Sequence, residues 1–198
     1  PLAALCLHTE FSPLPGLTFR ESLYNGVASD RINRQFRFCP RSDGMFNIGS
    51  LSYHIGEEDR HHGYYAVGYA LGSSPSETSA DKTFNYALWT LIEQPLLHVG
   101  ESHLGAMWQG GTSPASRSTC RHYWGAGLIW SNIPPQMTQV GLVVNRALYA
   151  DGRETDVELT GSFPVCNHFT LQPAVHCINT NGNYTAAAQL RAILEFGN

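Results

Sequence analysis

Three stretches of the chain gather side chains capable of chemistry. His54-Ile-Gly-Glu-Glu-Asp-Arg-His-His62 packs carboxylates and imidazoles into nine residues, and a cation could be shared by Glu57, Asp59 and His61. No spacing there fixes a coordination geometry, so a solvated loop is the plainer reading and no metal is expected. His98, Ser102 and His103 put a hydroxyl close in sequence to two potential bases. Yet the chain carries no Gly-x-Ser-x-Gly, no His-Glu-x-x-His, no glycine-rich phosphate loop and no credible Ser/His/Asp ordering. Neither an enzyme nor a cofactor is expected. Arg31, Arg34, Arg37 and Arg41 fall within eleven residues and either meet anionic groups or form a solvated loop.

Composition says what kind of scaffold must position these groups. A chain of 198 residues suffices for one domain, and no boundary divides residues 1–198. Charged residues are 14% of it, against roughly 25% in ordinary soluble domains. Lys82 is the only lysine, while nineteen glycines and 11% aromatics favour strands and turns over helices. A net charge of -4 and the lack of a basic run exclude nucleic acid as the expected partner. No run approaches the length of apolar helix that spans a membrane. The opening Pro1-Leu-Ala-Ala-Leu5 shows no basic, apolar and cleavage regions in series, so the expectation is that any signal peptide has been removed or was never included. Cys6, Cys39, Cys120, Cys166 and Cys177 form no Cys-x-x-Cys pair, and an odd number leaves at least one thiol free. They read as small apolar fillers.

The elements are legible as period-two runs of apolar and polar residues separated by turn clusters. Strands are expected near 3–11, 17–25, 45–54, 63–72, 84–94, 101–109, 121–132, 138–150, 154–165, 168–179 and 184–196. The short connections are 12–16, Pro134-Pro135, Asp151-Gly152 and Asn167-His168; the longer ones are 26–44, 56–62, 73–83 and 110–121. Short turns at one end and long loops at the other describe an antiparallel up-and-down meander. No window shows a helical period, so helix should be nearly absent.

Each strand then has one apolar and one polar face. In the last run Ala186, Ala188, Leu190, Ala192, Leu194 and Phe196 share one face, and Ala187, Gln189, Arg191, Ile193 and Glu195 the other. A soluble β-sandwich or barrel alternates in the same way. However, runs of this length suit strands tilted across a bilayer, which need about nine to eleven residues. Aromatics also gather toward strand ends at Tyr64, Tyr65, Tyr69, Trp89, Trp108, Tyr123, Trp124, Trp130, Tyr184 and Phe196, where outer-membrane barrels carry their girdles. The fold expected is an all-β, antiparallel up-and-down transmembrane β-barrel with about ten or eleven strands visible, whole or part of a larger barrel.

Several blocks carry a resemblance. Leu23-Tyr-Asn-Gly26 follows a Pro-Gly turn, and Phe36-Arg-Phe38 precedes Asp43-Gly-Met-Phe-Asn-Ile-Gly-Ser-Leu-Ser-Tyr53. Gly63-Tyr-Tyr-Ala-Val-Gly-Tyr69, Tyr123-Trp-Gly-Ala-Gly-Leu-Ile-Trp130 and Val140-Gly-Leu-Val-Val-Asn145 come next. Last are a strand with Glu154 and Glu158-Leu159, then Leu171-Gln-Pro173, and Leu190-Arg-Ala-x-Leu-Glu-Phe196. In this order they resemble the C-terminal half of the carbohydrate-selective porins of the OprB family, whose barrels have about sixteen strands. The chain departs from members that stop on the terminal phenylalanine, since Gly197 and Asn198 follow it. The resemblance implies a Gram-negative outer-membrane porin for passive diffusion of carbohydrates. Its partners would be sugars as solutes, and membrane lipid with lipopolysaccharide around the wall. The arginine-rich stretch would then serve as a basic strip in the pore or meet lipopolysaccharide phosphates. Asp156, Glu158, Thr160, Gln172, His176, Gln189, Arg191 and Glu195 would line the pore, with Val157, Leu159, Leu190 and Leu194 toward lipid. A non-conducting structural or binding barrel derived from a porin, and a soluble antiparallel β-protein, stay open as alternatives.

Overall fold

The computed structural model describes residues 4–27, 35–55, 63–75, 82–114, 116, 118–135 and 138–195. Eleven strands run in sequence: β1 Cys6–Leu14, β2 Leu17–Asn25, β3 Met45–Ile55, β4 Gly63–Pro75, β5 Lys82–Val99, β6 Ser102–Thr112, β7 Cys120–Ile133, β8 Thr138–Tyr149, β9 Arg153–Cys166, β10 Phe169–Thr180 and β11 Asn183–Leu194. They form one antiparallel sheet in which every neighbour in sequence is a neighbour in space. The sheet does not close: β1 and β11 are its two edges. The meander expected from the alternation is therefore the observed fold, and most strand limits agree with the expected ones to within a few residues.

The largest departure is β5, eighteen residues long where 84–94 was expected. Pro95 reads as a strand breaker because it cannot donate to the ladder. Instead the pairing with β6 shifts register between Pro95 and Leu97, and the strand continues past the irregularity. The connections also depart from a clean division between ends. Because strands alternate in direction, 26–44 and Asp151-Gly152 lie at the same end, while 56–62 lies at the end with Gly16 and Asn167-His168. At the first end the connections run from the nineteen residues of 26–44 down to the two of Asn181-Gly182. There Asn181 at φ 54° and Gly182 at φ 96° take the left-handed conformation of a two-residue hairpin turn.

Pairing fixes the faces, since directly opposed residues project to the same side. One face carries Leu51, Val67, Leu88, Leu128, Leu142, Val157, Leu159, Val175 and Leu190, all exposed. The other carries Glu10, Arg20, Ser52, Gln109, Asn145, Asp156, Glu158 and His176, interspersed with apolar residues such as Ile48, Leu91 and Ile129. Among the described residues the buried apolar side chains are Ala66 and Ala174, both on that second face. A sheet this size with no buried leucine, isoleucine, valine or phenylalanine among the described residues has its apolar side turned outward. The cysteines follow suit. Cys6, Cys166 and Cys177 are exposed and all five are free, so they do not act as the buried fillers expected of them.

Candidate functional site

The strands bring the polar residues predicted for the wall onto one face. On β9, Asp156, Glu158 and Thr160 are spaced by two, as strand geometry requires. Glu158 lies opposite His176 of β10, and Thr160 opposite Ala174, which in turn faces Gln189 of β11. Gln172 is paired with Arg191, and its amide reaches Ser162 Oγ at 3.4 Å. Glu195 lies just past β11, where its backbone N–H donates to the His168 carbonyl at 3.0 Å. His176 Nδ1 is 3.1 Å from Asp156 Oδ2. The face thus carries both signs of charge together with amide and hydroxyl groups.

Sequence reasoning missed how far this polar surface extends. Gln109 Nε2 donates to Tyr123 Oη at 2.6 Å, and Tyr123 Oη donates to Asn145 Oδ1 at 2.7 Å. Asn145 is directly opposite Asp156, so the network adjoins the Asp156 cluster. Gly125 lies beneath it: a Cβ there would meet the Asn145 and Gln109 amides. Trp89 lies similarly across Gly68 on the same face. Farther along, Arg20 Nε pairs with Glu10 at 2.7 Å and Arg20 Nη1 reaches Ser52 Oγ at 3.4 Å. A signal existed for the network, since Gln109, Tyr123 and Asn145 occupy alternate positions within their runs. Only the register shows that they meet.

The aromatic residues divide by face. Phe11, Tyr53, Trp130 and Phe163 lie exposed toward one rim of the apolar face, and Phe84, Tyr86 and Tyr184 toward the other. Trp108 and Trp124 stack on that face with centroids 6.0 Å apart. Leucines and valines fill the band between the rims. Tyr64, Trp89 and Tyr123 face the polar side instead, which corrects their expected place in a girdle. Period two decides this, and nearness to a strand end does not.

The other stretches singled out for chemistry have local explanations or lie elsewhere. Residues 56–62, with Glu57, Asp59 and His61, are outside the described residues, as are Arg31, Arg34 and Phe196. Arg37 is tied within its own connection, donating to Ser42 Oγ at 3.0 Å and lying 3.6 Å from Asp43. Cys39 first, and then Asp43, raise its already high pKa. Asn25, of the Tyr-Asn-Gly stretch, is buried and links Asp43 and the Cys39 N–H, pinning the 26–44 connection to the sheet. Beside it a cavity of about 350 Å³ is lined by Phe46, Gly72, Asn85, Ser113 and Ser118. His98 and His103 stack at 6.1 Å, but the Ser102 hydroxyl donates to the Asn132 carbonyl at 3.0 Å, so it is not presented to either imidazole.

No family profile matches the chain. No curated protein matches it either. Among solved structures, the high-pH structure of OprB from Pseudomonas putida superposes with a TM-score of 0.72 at 12% identity. The match covers 95% of this chain and 57% of the OprB chain, so the chain spans little more than half the length of that protein. At that identity the likeness is one of fold: eleven antiparallel strands in a single up-and-down sheet, similar to the wall of OprB.

Proposed function

We propose that this chain forms the wall of an outer-membrane porin through which carbohydrates diffuse passively, without a cofactor and without catalysis. The observation that carries the reading is the exposed apolar face bounded by aromatic rims, on strands of nine to eighteen residues. Leaving a large aliphatic side chain in water forgoes roughly 1.5–3 kcal/mol. These side chains are about half exposed, and repeated from Leu51 to Leu190 the loss is comparable with the roughly 5–15 kcal/mol of stability typical of a folded protein. Lipid removes the conflict, because it solvates the apolar face and leaves the polar one to water.

The edge strands support a closed wall. Unpaired backbone groups cost several kcal/mol each in hydrocarbon, so β1 and β11 must be paired there, with further strands or with each other. The fold match, which covers 57% of the OprB chain, supports that reading. Asp156, Glu158, Thr160, Gln172, His176, Gln189, Arg191 and Glu195 then line the lumen. Their mixed charge gives little reason to prefer cations or anions, and offers donors and acceptors to neutral hydroxyls. Trp89, flat against Gly68, presents an aromatic surface to a sugar face.

Liposome swelling with glucose, a disaccharide and a zwitterionic amino acid of similar size tests the proposal. Faster entry of the sugars supports it. Equal entry of the amino acid removes the carbohydrate preference and leaves a general pore. A folded protein that never conducts in a planar bilayer would instead be a structural or binding barrel. Recovery from cells in the soluble fraction without detergent would overturn the membrane reading itself.

A further inference from the structure

We propose that Asp156, Glu158 and His176 form a binding site for a divalent transition-metal ion on the polar face of the sheet. The site follows from register. Asp156 and Glu158 are two apart on β9, so their side chains stand on one face, and His176 of β10 is paired with Glu158 and diagonal to Asp156. One ligand atom from each of the three lies within 4.8 Å of the other two. The 3.1 Å between His176 Nδ1 and Asp156 Oδ2 is a few tenths of an ångström under the roughly 3.3–3.6 Å edge of a tetrahedron whose ligands sit about 2.0–2.2 Å from a central ion, so a small side-chain shift admits one.

Two observations show that the cluster lacks compensation. Asp156 Oδ1 is shielded from solvent and accepts no hydrogen bond, the kind of buried polar atom that ordinarily has a partner. Glu158 forms no ion pair or hydrogen bond with any described side chain, and the imidazole beside it bonds Asp156 instead. Neighbouring groups do not help. Asn145 opposite Asp156 has its Oδ1 engaged by Tyr123, Arg146 and Arg153 stand at positions of the apolar face, and Arg191 lies opposite Gln172, four residues along β10 from His176. A bound cation would replace the His176–Asp156 hydrogen bond, balance both carboxylates and use the Nδ1 lone pair of neutral His176, with its proton on Nε2; held by both oxygens of Asp156, it would also satisfy Oδ1.

The donor set selects the metal. Calcium and magnesium take oxygen ligands, whereas one imidazole with two carboxylates suits zinc and its first-row neighbours. Three protein ligands leave a coordination position open toward the polar side, as in zinc sites that hold water or a solute. The site does not depend on carbohydrate passage.

Zinc binding to the native protein in detergent, with its cysteines alkylated, tests the proposal by isothermal titration calorimetry. Wild type should bind one zinc per chain more than His176→Ala. Glu158→Gln should weaken that site at least about tenfold, since even groups behind the ligands contribute 10–100-fold. His168→Ala, at the β9–β10 turn, should leave it unchanged. Circular dichroism checks that each variant folds, and should His176→Ala not fold, the near-isosteric Asp156→Asn carries the same comparison. Equal zinc stoichiometry and affinity in wild type and folded His176→Ala or Asp156→Asn would overturn the site. So would an unchanged affinity in Glu158→Gln.

Discussion

Glu21 and the pair Asp156 and Glu158 are carboxylates on opposite faces of one sheet. Glu21 stands among the leucines and valines of the apolar face. It accepts a hydrogen bond from Asn47 Nδ2, and the Tyr69 hydroxyl lies 3.1 Å from each of its oxygens. Gly49, opposite both Glu21 and Tyr69, makes room for them: a Cβ there would collide with the Glu21 carboxyl and the Tyr69 ring. On the polar face, by contrast, Asp156 has one orphaned oxygen and Glu158 has no side-chain partner among the described residues. The difference fits the proposed membrane reading. A carboxyl toward hydrocarbon must be satisfied by the protein itself, whereas one on a lumen face can take a partner from outside the protein.

The comparison breaks most readily at Leu159, flanked by Leu142 and Val175 on the apolar face. Leu159→Arg should destabilise the protein by about 2–4 kcal/mol in chemical unfolding from lipid vesicles, while Gln189→Arg should cost far less. Equal costs would mean that the faces are assigned the wrong way round. Next in size, Tyr69→Phe strips a donor from Glu21 and should cost about 1–3 kcal/mol in the same assay. Replacing Glu21, Asn47 and Tyr69 together by Leu, Leu and Phe should cost less than the single changes summed, because no polar group is then left unpaired.

The polar face should prove sensitive to volume rather than to charge. Gly68→Ala drives a Cβ into the Trp89 ring and to 2.7 Å from the Gly49 carbonyl oxygen. It should cost about 1–3 kcal/mol. Gly125→Ala meets only the movable ends of Asn145 and Gln109 and should cost less. The smallest effect is expected at the half-exposed Arg20–Glu10 pair. Glu10→Gln should change stability by about 0.2–1 kcal/mol, and less at high salt.

Much of this was legible in the residues. Val157, Leu159, Asp156 and Glu158 declare two faces by alternation alone, and their strand is found where the alternation places it. The strand expected to end at residue 94 runs on to Val99, because Pro95 inside it is absorbed by a register irregularity that needs the neighbouring β6 to exist. The candidate site was legible only as separate residues. Asp156, Glu158 and His176 were each assigned to the polar face, but the search for a cation site went to residues 54–62, where carboxylates and imidazoles are close in sequence. Strand pairing brings together residues eighteen and twenty positions apart, and no local spacing announces that.

By itself, the sequence determined the strand count, the turns and the apolar or polar character of each face, because a strand's side chains alternate whatever it pairs with. Tertiary structure alone decided which polar residues meet, that Glu21 is partnered while Asp156 is not, and that Tyr64, Trp89 and Tyr123 leave the girdle. Those facts depend on register, and a slip of one residue between strands would move every side chain to the other face.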